Sequence, residues 1–286
     1  MPFPIADTHT HLYFSSFDPD RNEVIQRNQF HGVNLEVQIG CDEVSSLAAL
    51  QLAKTHENFY ATLGLHPADV LHCFSEKKEY RPSGFENYQT KAKNFDALFA
   101  FFEELFRMHE KKIVGFGETG FDLYHENSPE ILNVQTNVFE RHLKLCLAYD
   151  RLAVLHIRNA KKEFFHFLEH SRQKNFRAVL HCFSEDAEFA RIMTEKYHFF
   201  LGIGGVSTYP NAQNVRDAIS AVPIEFLVTE TDSPFLTPQS NRKTHKRNES
   251  NFLTEVVELI AHIKKMPVEE CAKILFENAK RMYRIL

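Results

Sequence analysis

The stretch that decides the fold is IADTHTH, residues 5–11, in which a short apolar run ends in two histidines. A doubly wound nucleotide-binding sheet would carry a glycine-rich phosphate turn after its first strand, whereas this strand ends in Asp7, His9 and His11. Further β-rich runs follow, separated by longer helical stretches, and this alternation indicates a parallel sheet covered on both faces. The eight predicted strands are Ile5–His11, Leu35–Gly40, Tyr60–His66, Ile113–Glu118, Ala153–His156, Ala178–His181, Phe199–Ile203 and Phe226–Thr231.

Eight strand–helix units in 286 residues predict an α/β fold, a single (β/α)8 TIM-type barrel domain over 1–286, with a doubly wound sheet as the alternative. The polar segment at about 68–93 is too long for an ordinary βα loop, so we predict an insertion that is either a lid or plain surface. The 27 phenylalanines are expected to fill space between the barrel and its helices. Helices are predicted over Asp42–His56, Phe95–Lys111, Pro129–Tyr149 and, at the C-terminus, Pro267–Leu286.

Composition and charge restrict the class of protein. Five scattered cysteines without a C-x-x-C pair suit a reducing cytosol or nucleus better than a disulfide framework. No apolar run approaches the roughly 20 residues of a membrane span, and the opening MPFPIADTHTHL lacks the features of a signal peptide. We therefore expect a cytoplasmic protein, or a nuclear one in a eukaryote, without membrane association, and a monomer, with an oligomer left open. The formal net charge of −5 means that any contact with nucleic acid must be local.

Polar residues stand where the apolar strands stop. In a barrel of this class these ends converge at the C-terminal face, where active sites lie. Each residue alone has an ordinary explanation, because a histidine after a strand is usually just hydrogen-bonded, a glutamate can cap a helix and an aspartate can form a turn. Four histidines and two carboxylates together would be an uncompensated buried cluster without a cation. The set is His9, His11, Glu118, His156, His181 and Asp232.

Two divalent metals would resolve this cluster. In such hydrolases a carboxylate bridges two ions about 3.5–4 Å apart, and Glu118, near the centre of the set, is the predicted bridge. Asp7 shares the strand face of His9 and His11 one step deeper, where it could orient both imidazoles.

A repeated heptapeptide requires a choice between two histidines. VLHCFSE occurs at 70–76 and again at 179–185, with flanks that do not match. The second copy ends a strand-like run, while the first follows Pro67 and enters the predicted insertion. We therefore predict that His181, and not His72, carries the chemistry.

A series of short motifs follows the strand ends in order along nearly the whole chain, and Asn278 stands near its end. The motifs are Asp7-x-His9-x-His11-Leu12, Gly64-x-His66-Pro67, Gly117-Glu118-x-Gly120-x-Asp122, His156-x-Arg158-x-Ala160, His181-Cys182-Phe183-Ser184, Glu230-Thr231-Asp232-Ser233-Pro234 and Arg247-Asn248-Glu249.

Jointly these motifs resemble the TatD family of metal-dependent deoxyribonucleases, within the amidohydrolase-like barrels. The resemblance implies hydrolysis of DNA from an end, with related activity on RNA. It places His66 beside the metals, facing substrate or water. It also implies two ligand sets: His9, His11, Glu118 and Asp232 around one metal, and Glu118, His156 and His181 around the other.

Three positions depart from the family pattern. Tyr13 stands where an acid is frequent, Glu185 where glycine is usual and Ser250 where proline is usual. None of the three is a predicted metal ligand. Glu185, together with the long insertion, is expected to change substrate access.

The predicted mechanism follows from charge. Two metals would lower the pKa of a bound water, and Asp232 would take its proton as general base, so Asp232 and the bridging Glu118 are the predicted catalytic residues. Arg158 would help to neutralise the phosphate. The imidazole-rich ligand set favours Zn²⁺ or Mn²⁺ over Mg²⁺, while the Mg²⁺ dependence described for the family leaves the identity of the metal open.

The loop after the eighth strand contains the densest basic cluster of the chain, with four positive charges between residues 242 and 247. Because this loop follows Asp232, we predict that it lies on the active-site face and attracts nucleic acid by steering that salt would screen. The predicted substrate-binding residues are His66, Arg158, Arg242, Lys243 and Arg247.

Two other functions remain open. One is an amidohydrolase-type enzyme for a small cyclic amide or ester, and the other is a metal-binding scaffold without catalysis. Several amidohydrolases bridge their metals with a modified lysine at the end of the fourth strand. Here Lys111 and Lys112 stand at the start of that strand and Glu118 at its end, which favours the nuclease.

Overall fold

Strands in sequential order define the architecture of the computed structural model, which describes residues 3–74, 82, 84, 85, 88 and 90–285. They form one eight-stranded sheet in which each strand neighbours the next along the chain, and the pairs with a recorded register are parallel. The strands are β1 (Ile5–Thr10), β2 (Val33–Gln38), β3 (Phe59–Leu63), β4 (Ile113–Asp122), β5 (Leu152–Arg158), β6 (Ala178–Leu180), β7 (Phe200–Ile203) and β8 (Leu227–Thr229).

The chain beyond β8 pairs with the end of β1. Thr10 and Ser233 form a parallel bridge, and the backbone N–H of Asp232 donates to the carbonyl of His9 at 2.9 Å. A doubly wound sheet would instead reverse its strand order at a switch point. The sequential order, joined at its ends, confirms the predicted (β/α)8 fold class.

Side-chain caps fix where several helices begin. Asp42 accepts the backbone N–H of Ser45 in a capping box, and Asn94 accepts that of Ala97. Ser128 caps the helix that opens with Pro129, a residue that suits the first helical position. The helices of the described residues are α1 (Arg21–Phe30), α2 (Glu43–Thr55), α3 (Phe95–Met108), α4 (Pro129–Tyr149), α5 (Lys161–His170), α6 (Ala187–Arg191), α7 (Gln213–Ala221), α8 (Leu253–Lys264) and α9 (Val268–Tyr283).

The predicted elements are all present, but four boundaries were wrong by three or four residues. Strand β3 ends at Leu63 rather than His66, and helix α9 ends at Tyr283 rather than Leu286. Strand β4 does not end at Glu118; it continues to Asp122, because Thr119–Asp122 still pair with β5 after a register shift. Gly117 and Gly120 adopt positive φ angles of 128° and 135°, and this conformation allows the backbone to shift its register against β5. Helix α3 stops at Met108 rather than Lys111, because the chain turns at His109 to enter β4.

The chain divides into two compact units. Unit 1 contains Met1–Gln38 and Val179–Leu286, and unit 2 contains Ile39–Ala178. The single-domain assignment therefore stays a prediction. None of the helices in the described part of the chain has the length and hydropathy of a membrane-spanning segment.

Phenylalanine rings fill the space between strands and helices in unit 2, as predicted. Phe121 on β4 packs edge-to-face on Phe139 of α4, with ring centroids 5.6 Å apart, and on Phe167 of α5 at 5.8 Å. Phe139 and Phe167 contact each other at 4.6 Å. Each fully buried ring of this kind stabilises the fold by roughly 1.5–3 kcal/mol relative to an exposed one.

Much of the predicted insertion at 68–93 lies outside the described residues, so its role as a lid or as plain surface stays a prediction. Its described part is bound to the first turn of α2. The buried carboxylate of Glu43 accepts hydrogen bonds from the Tyr88 hydroxyl and the Lys91 N–H at 2.8 Å, and from the Ala92 N–H at 2.9 Å. One acidic side chain thus anchors the return of this segment to the fold.

Candidate metal centre

In unit 1 the end of β1 meets the segment after β8 through side chains as well as backbone. The ring of His9 stacks on that of His181 with centroids 3.9 Å apart. Asp232 Oδ1 lies 3.5 Å from His9 Nε2 and 3.3 Å from His11 Nε2. Ligand atoms of His9, His181 and Asp232 lie within 4.8 Å of one another. These three side chains form a group of suitable size for one cation.

The carboxylate of Asp232 is held ionised by its neighbours. Burial acts to raise its pKa, but the hydrogen bond with His11 and the charges of His181, His9 and His11 outweigh burial and lower the pKa below its usual value. An anionic oxygen beside imidazole nitrogens is the chemistry that a divalent cation requires.

Asp7 has a different task from the one predicted. It accepts the backbone N–H of His9 at 3.2 Å, the hydroxyl of Thr231 at 2.6 Å and the hydroxyl of Ser250 at 2.7 Å. Burial raises the pKa of Asp7 to about 7, although these hydrogen bonds act to lower it. Because Thr231 immediately precedes Asp232, Asp7 positions the backbone that carries the candidate ligand, and its contact with His9 is to the main chain.

Unit 2 contains a second group. His156 Nδ1 lies 2.8 Å from Glu118 Oε1, and His66 Nε2 lies 3.4 Å from the same oxygen. Ligand atoms of His66, Glu118 and His156 are again within 4.8 Å of one another. The sequence predicted that Glu118 and His156 share a metal with His66 beside them, and the structure brings these three residues together.

Asp122 completes the environment of His156 and has no role in the sequence prediction. Its Oδ2 lies 3.0 Å from His156 Nε2, so each ring nitrogen of His156 faces a carboxylate. Burial acts to raise the pKa of Asp122, but the hydrogen bond with His156 is among the contacts that bring the pKa below its usual value. A carboxylate on the far nitrogen of a metal-ligating histidine fixes ring orientation and tautomer. Asp122 stands in one of the sequence motifs, but the sequence alone did not show that its partner is His156.

Backbone packing fixes the position of Glu118. The N–H of Glu118 donates to the carbonyl of Gly40 at 2.9 Å. Gly64 on the neighbouring chain segment has no side chain, and a Cβ there would overlap the backbone of Gly117 and Glu118. The glycine of the Gly64-x-His66 motif is therefore required by a close backbone approach to the carboxylate residue.

Both groups fit divalent cations by the chemistry of their donors. Each offers imidazole nitrogens and carboxylate oxygens, which Zn²⁺ and Mn²⁺ accept, and three protein ligands leave positions for water or substrate. His11 contacts the first group through Asp232. The ligand set that joins His181 to Glu118 and His156 combines residues of both units, and it stays a prediction, as do the other ligand assignments.

The two copies of the repeated heptapeptide differ in position. His181 directly follows β6 and is buried, whereas His72 lies in an exposed turn after Pro67. Within the described residues, His72 belongs to none of the groups with metal-ligand spacing.

The predicted substrate-binding cations differ in environment. The guanidinium of Arg158 lies over the ring of Tyr124 at 3.8 Å, and that of Arg242 lies over Tyr209 at 4.5 Å. Arg247 instead binds two carboxylates, Asp20 and Glu249, each at 2.7 Å. Its charge is thereby neutralised, which favours a structural role, and its substrate contact stays a prediction. Arg242, Lys243 and Lys246 are exposed and form no ion pair with any residue that the structure describes.

A family model described as "TatD related DNase" matches residues 6–284. The chain belongs to the TatD family. Among its relatives, YabD of Bacillus subtilis strain 168 carries the name uncharacterized metal-dependent hydrolase. The two are 33% identical over 281 residues, covering 98% of this chain and 99% of YabD. The family thereby defines the chain as a metal-dependent hydrolase.

Two solved structures of TatD proteins share this fold. YjjV of Escherichia coli K12, a TatD homologue, is 24% identical with a TM-score of 0.81, covering 99% of this chain and 98% of YjjV. A TatD-family hydrolase of Entamoeba histolytica is 17% identical, also with a TM-score of 0.81, covering 99% of each chain. At these identities the similarity establishes the fold alone.

Two departures of this TatD chain from the family pattern contact the site. The Tyr13 hydroxyl, at the position where an acid is frequent, lies 3.0 Å from His11 Nδ1. Ser250, where proline is usual, donates to Asp7 at 2.7 Å. Both substitutions supply hydrogen bonds that a purely apolar replacement would lack.

Proposed function

We propose that this chain is a two-metal nuclease that hydrolyses phosphodiester bonds of DNA from an end of the strand, with RNA as a second substrate. The observation that carries the proposal is that imidazole and carboxylate donors form one group within unit 1 and another within unit 2 of a TatD chain. Each group has the ligand number and chemistry for one cation. When bound, divalent cations supply Lewis acidity that makes water a stronger acid and offsets the charge of a phosphate.

The residues of the chain perform the other tasks. Asp232, ionised at neutral pH, accepts the proton of the attacking water as general base. Glu118 and Asp122 hold the imidazole of His156 between them. Arg158, with its side chain partly exposed over Tyr124, neutralises the phosphate.

The basic loop holds the polyanion. Arg242, Lys243 and Lys246 lie on the loop that follows Asp232 and form no ion pair within the described part of the chain, so they give an acidic chain a cationic surface there. Such a surface raises the association rate with nucleic acid and loses its effect at high salt.

An observation at the start of β4 disfavours the amidohydrolase alternative. Lys112 Nζ donates to the backbone carbonyls of His56, Glu57 and Phe59 at 2.6–3.0 Å. This lysine is thus occupied immediately before β4, whereas Glu118 lies within the second half of the strand. A modified lysine that bridges two metals has no counterpart at the end of β4 in the described residues.

The decisive experiment combines metal analysis with an oligonucleotide assay. Metal per chain is measured after loading with Zn²⁺, Mn²⁺ or Mg²⁺, and DNA and RNA strands labelled at either end are tested as substrates, with ester and cyclic amide substrates beside them. We expect about two ions per chain and metal-dependent release of mononucleotides that EDTA abolishes. Turnover of the amide or ester without oligonucleotide cleavage would support the alternative enzyme, and metal binding without any turnover would support the scaffold.

A further inference from the structure

The loop after β8 exposes an aromatic ring beside the candidate metal group. Phe235 follows Asp232 by three residues, and 52% of its surface is exposed. Its backbone N–H donates to the carbonyl of Asp232 at 2.9 Å, so the position of the ring is tied to that of the candidate ligand. A single exposed phenylalanine is ordinary on a protein surface.

A second ring supports Phe235. Phe14 packs edge-to-face against it, with centroids 5.9 Å apart and an interplanar angle of 83°. Phe14 also contacts the ring of His11 at 5.0 Å, and His11 contacts Asp232. Two ring contacts therefore connect the exposed ring to His11, which in turn contacts Asp232 of the first metal group, and packing holds the ring at a defined angle.

The charges of the same loop match a nucleic acid. Arg242, Lys243 and Lys246 follow Phe235 within the loop that leads to α8, and they form no ion pair with a described residue. Proteins that bind single strands combine a cationic path for the phosphates with aromatic rings on which the bases stack. Phe235 provides the ring and the three cations provide the path.

We propose that Phe235, supported by Phe14, is a stacking platform for the nucleobase next to the phosphodiester bond that is cut. The platform rests on the proposed nuclease function and specifies it: the enzyme holds its substrate by an unpaired base as well as by phosphate. Because every base has an aromatic face, stacking of this kind tolerates all four bases but requires that one of them is present.

The test uses single-stranded DNA hexamers in which one base at a time is replaced by an abasic tetrahydrofuran unit, so that all phosphates remain. For the wild-type enzyme, one abasic position lowers kcat/KM about tenfold, which lies within the range for a base stacked on an aromatic side chain. Phe235→Ala lowers kcat/KM about tenfold on the intact hexamer and no longer responds to the abasic unit at that position. Phe235→Trp restores the response.

Phe30→Ala is the matched control, because Phe30 is 80% exposed, belongs to unit 1 and ends α1 just before β2. This variant keeps the wild-type response, and metal content is equal in all variants. An unchanged response in Phe235→Ala, or an equal loss in Phe30→Ala, overturns the platform while the nuclease stands. No cleavage of any hexamer by the metal-loaded wild type overturns the nuclease and the platform together.

Discussion

Glu230 Oε1 lies 3.4 Å from His181 Nδ1, and both side chains are buried. The N–H of Cys182 donates to the same carboxylate oxygen. Gly202 on β7 leaves space for the side chain of Glu230, since a Cβ at position 202 would overlap the Glu230 carboxylate. The pair turns Nδ1 of His181 toward an anion, so ring geometry directs Nε2 to the opposite side, as in other histidines that carboxylates orient for metal binding.

The first prediction concerns this pair. Glu230→Ala should lower the affinity of the unit 1 group for its cation about 10- to 100-fold, because His181 loses the partner that orients it. Glu230→Gln should recover part of the affinity, since its amide oxygen still accepts from Nδ1. Titration of metal-free protein with Zn²⁺ measures the effect, with the exposed Glu225→Gln as control. Wild-type affinity in Glu230→Ala would show that the contact has no positioning role.

The repeated heptapeptide offers an internally matched pair for the second prediction. His181→Ala should remove one metal ion per chain, because His181 lies in the group with His9 and Asp232. His72→Ala should keep the full metal content, because His72 is exposed in a turn outside the described groups. Elemental analysis of both variants decides between the histidines, and equal losses would mean that the first copy also contributes a ligand.

The third prediction separates the carboxylate from the backbone that holds it. Glu118→Gln should abolish activity with little change in melting temperature, because the exchange keeps the volume of the side chain. Gly64→Ala should lower activity at least tenfold and also destabilise the fold by about 1–3 kcal/mol, because its Cβ overlaps the backbone of Gly117 and Glu118. Calorimetry and an activity assay on both variants test this. Gly64→Ala with wild-type activity would contradict the close approach.

The fourth prediction divides the basic loop into two functions. Arg242→Ala combined with Lys243→Ala should raise KM for oligonucleotides and flatten its salt dependence, while hydrolysis of a small phosphodiester stays constant. Arg247→Ala should instead destabilise the fold by about 1–3 kcal/mol, because it breaks charged hydrogen bonds to Asp20 and Glu249. Kinetics at several salt concentrations and melting curves distinguish these outcomes, and an unchanged salt slope in the double variant would assign the loop to ordinary surface.

The fifth prediction concerns two buried carboxyls, Asp7 on β1 and Glu36 on β2. Burial, with a contribution from the nearby charge of Asp7, raises the pKa of Glu36 from 4.5 to about 8. The folded state therefore retains a proton that the unfolded chain releases, so unfolding free energy falls as pH rises from about 4.5 to about 8. Glu36→Gln should remove the release of about one proton on unfolding, so the unfolding free energy of the variant should fall less steeply over this pH range. Denaturant titrations in EDTA at several pH values measure it, and parallel curves for both proteins would contradict the shift.

Sequence patterns were sufficient for the fold, and they also indicated which candidate metal-ligating side chains would lie close together, for a physical reason. Apolar strands and capped helices are local signals, and polar residues at strand ends must meet on one face once the topology is sequential. His156 and Glu118, or His9 and Asp232, could thus be proposed as neighbours without coordinates.

What the sequence could not supply were contacts that depend on tertiary packing. The roles of Asp122 and Glu230 arise from the ring orientations of His156 and His181, which are distant from them along the chain. Asp7 accepts hydrogen bonds from the hydroxyls of Thr231 and Ser250, which lie more than two hundred residues away along the chain. Arg247 was predicted to bind substrate because of the charges around it in the sequence. Its ion pair with Asp20 could not be predicted from the sequence of the loop that contains it.

The hydrogen bonds of Asp7 have a consequence for synthesis on the ribosome, where the chain emerges from its N-terminus. The His66, Glu118 and His156 group is encoded within one continuous stretch, so its residues are all available once Ala178 has emerged. The group with His9 is incomplete until Asp232 has been made, and Asp7 lacks its hydrogen bond from Ser250 until still later. A nascent chain that stalls in between carries the complete ligands of one group, while β1 can pair with β2 but still lacks the segment after β8 that carries Asp232 and Ser233.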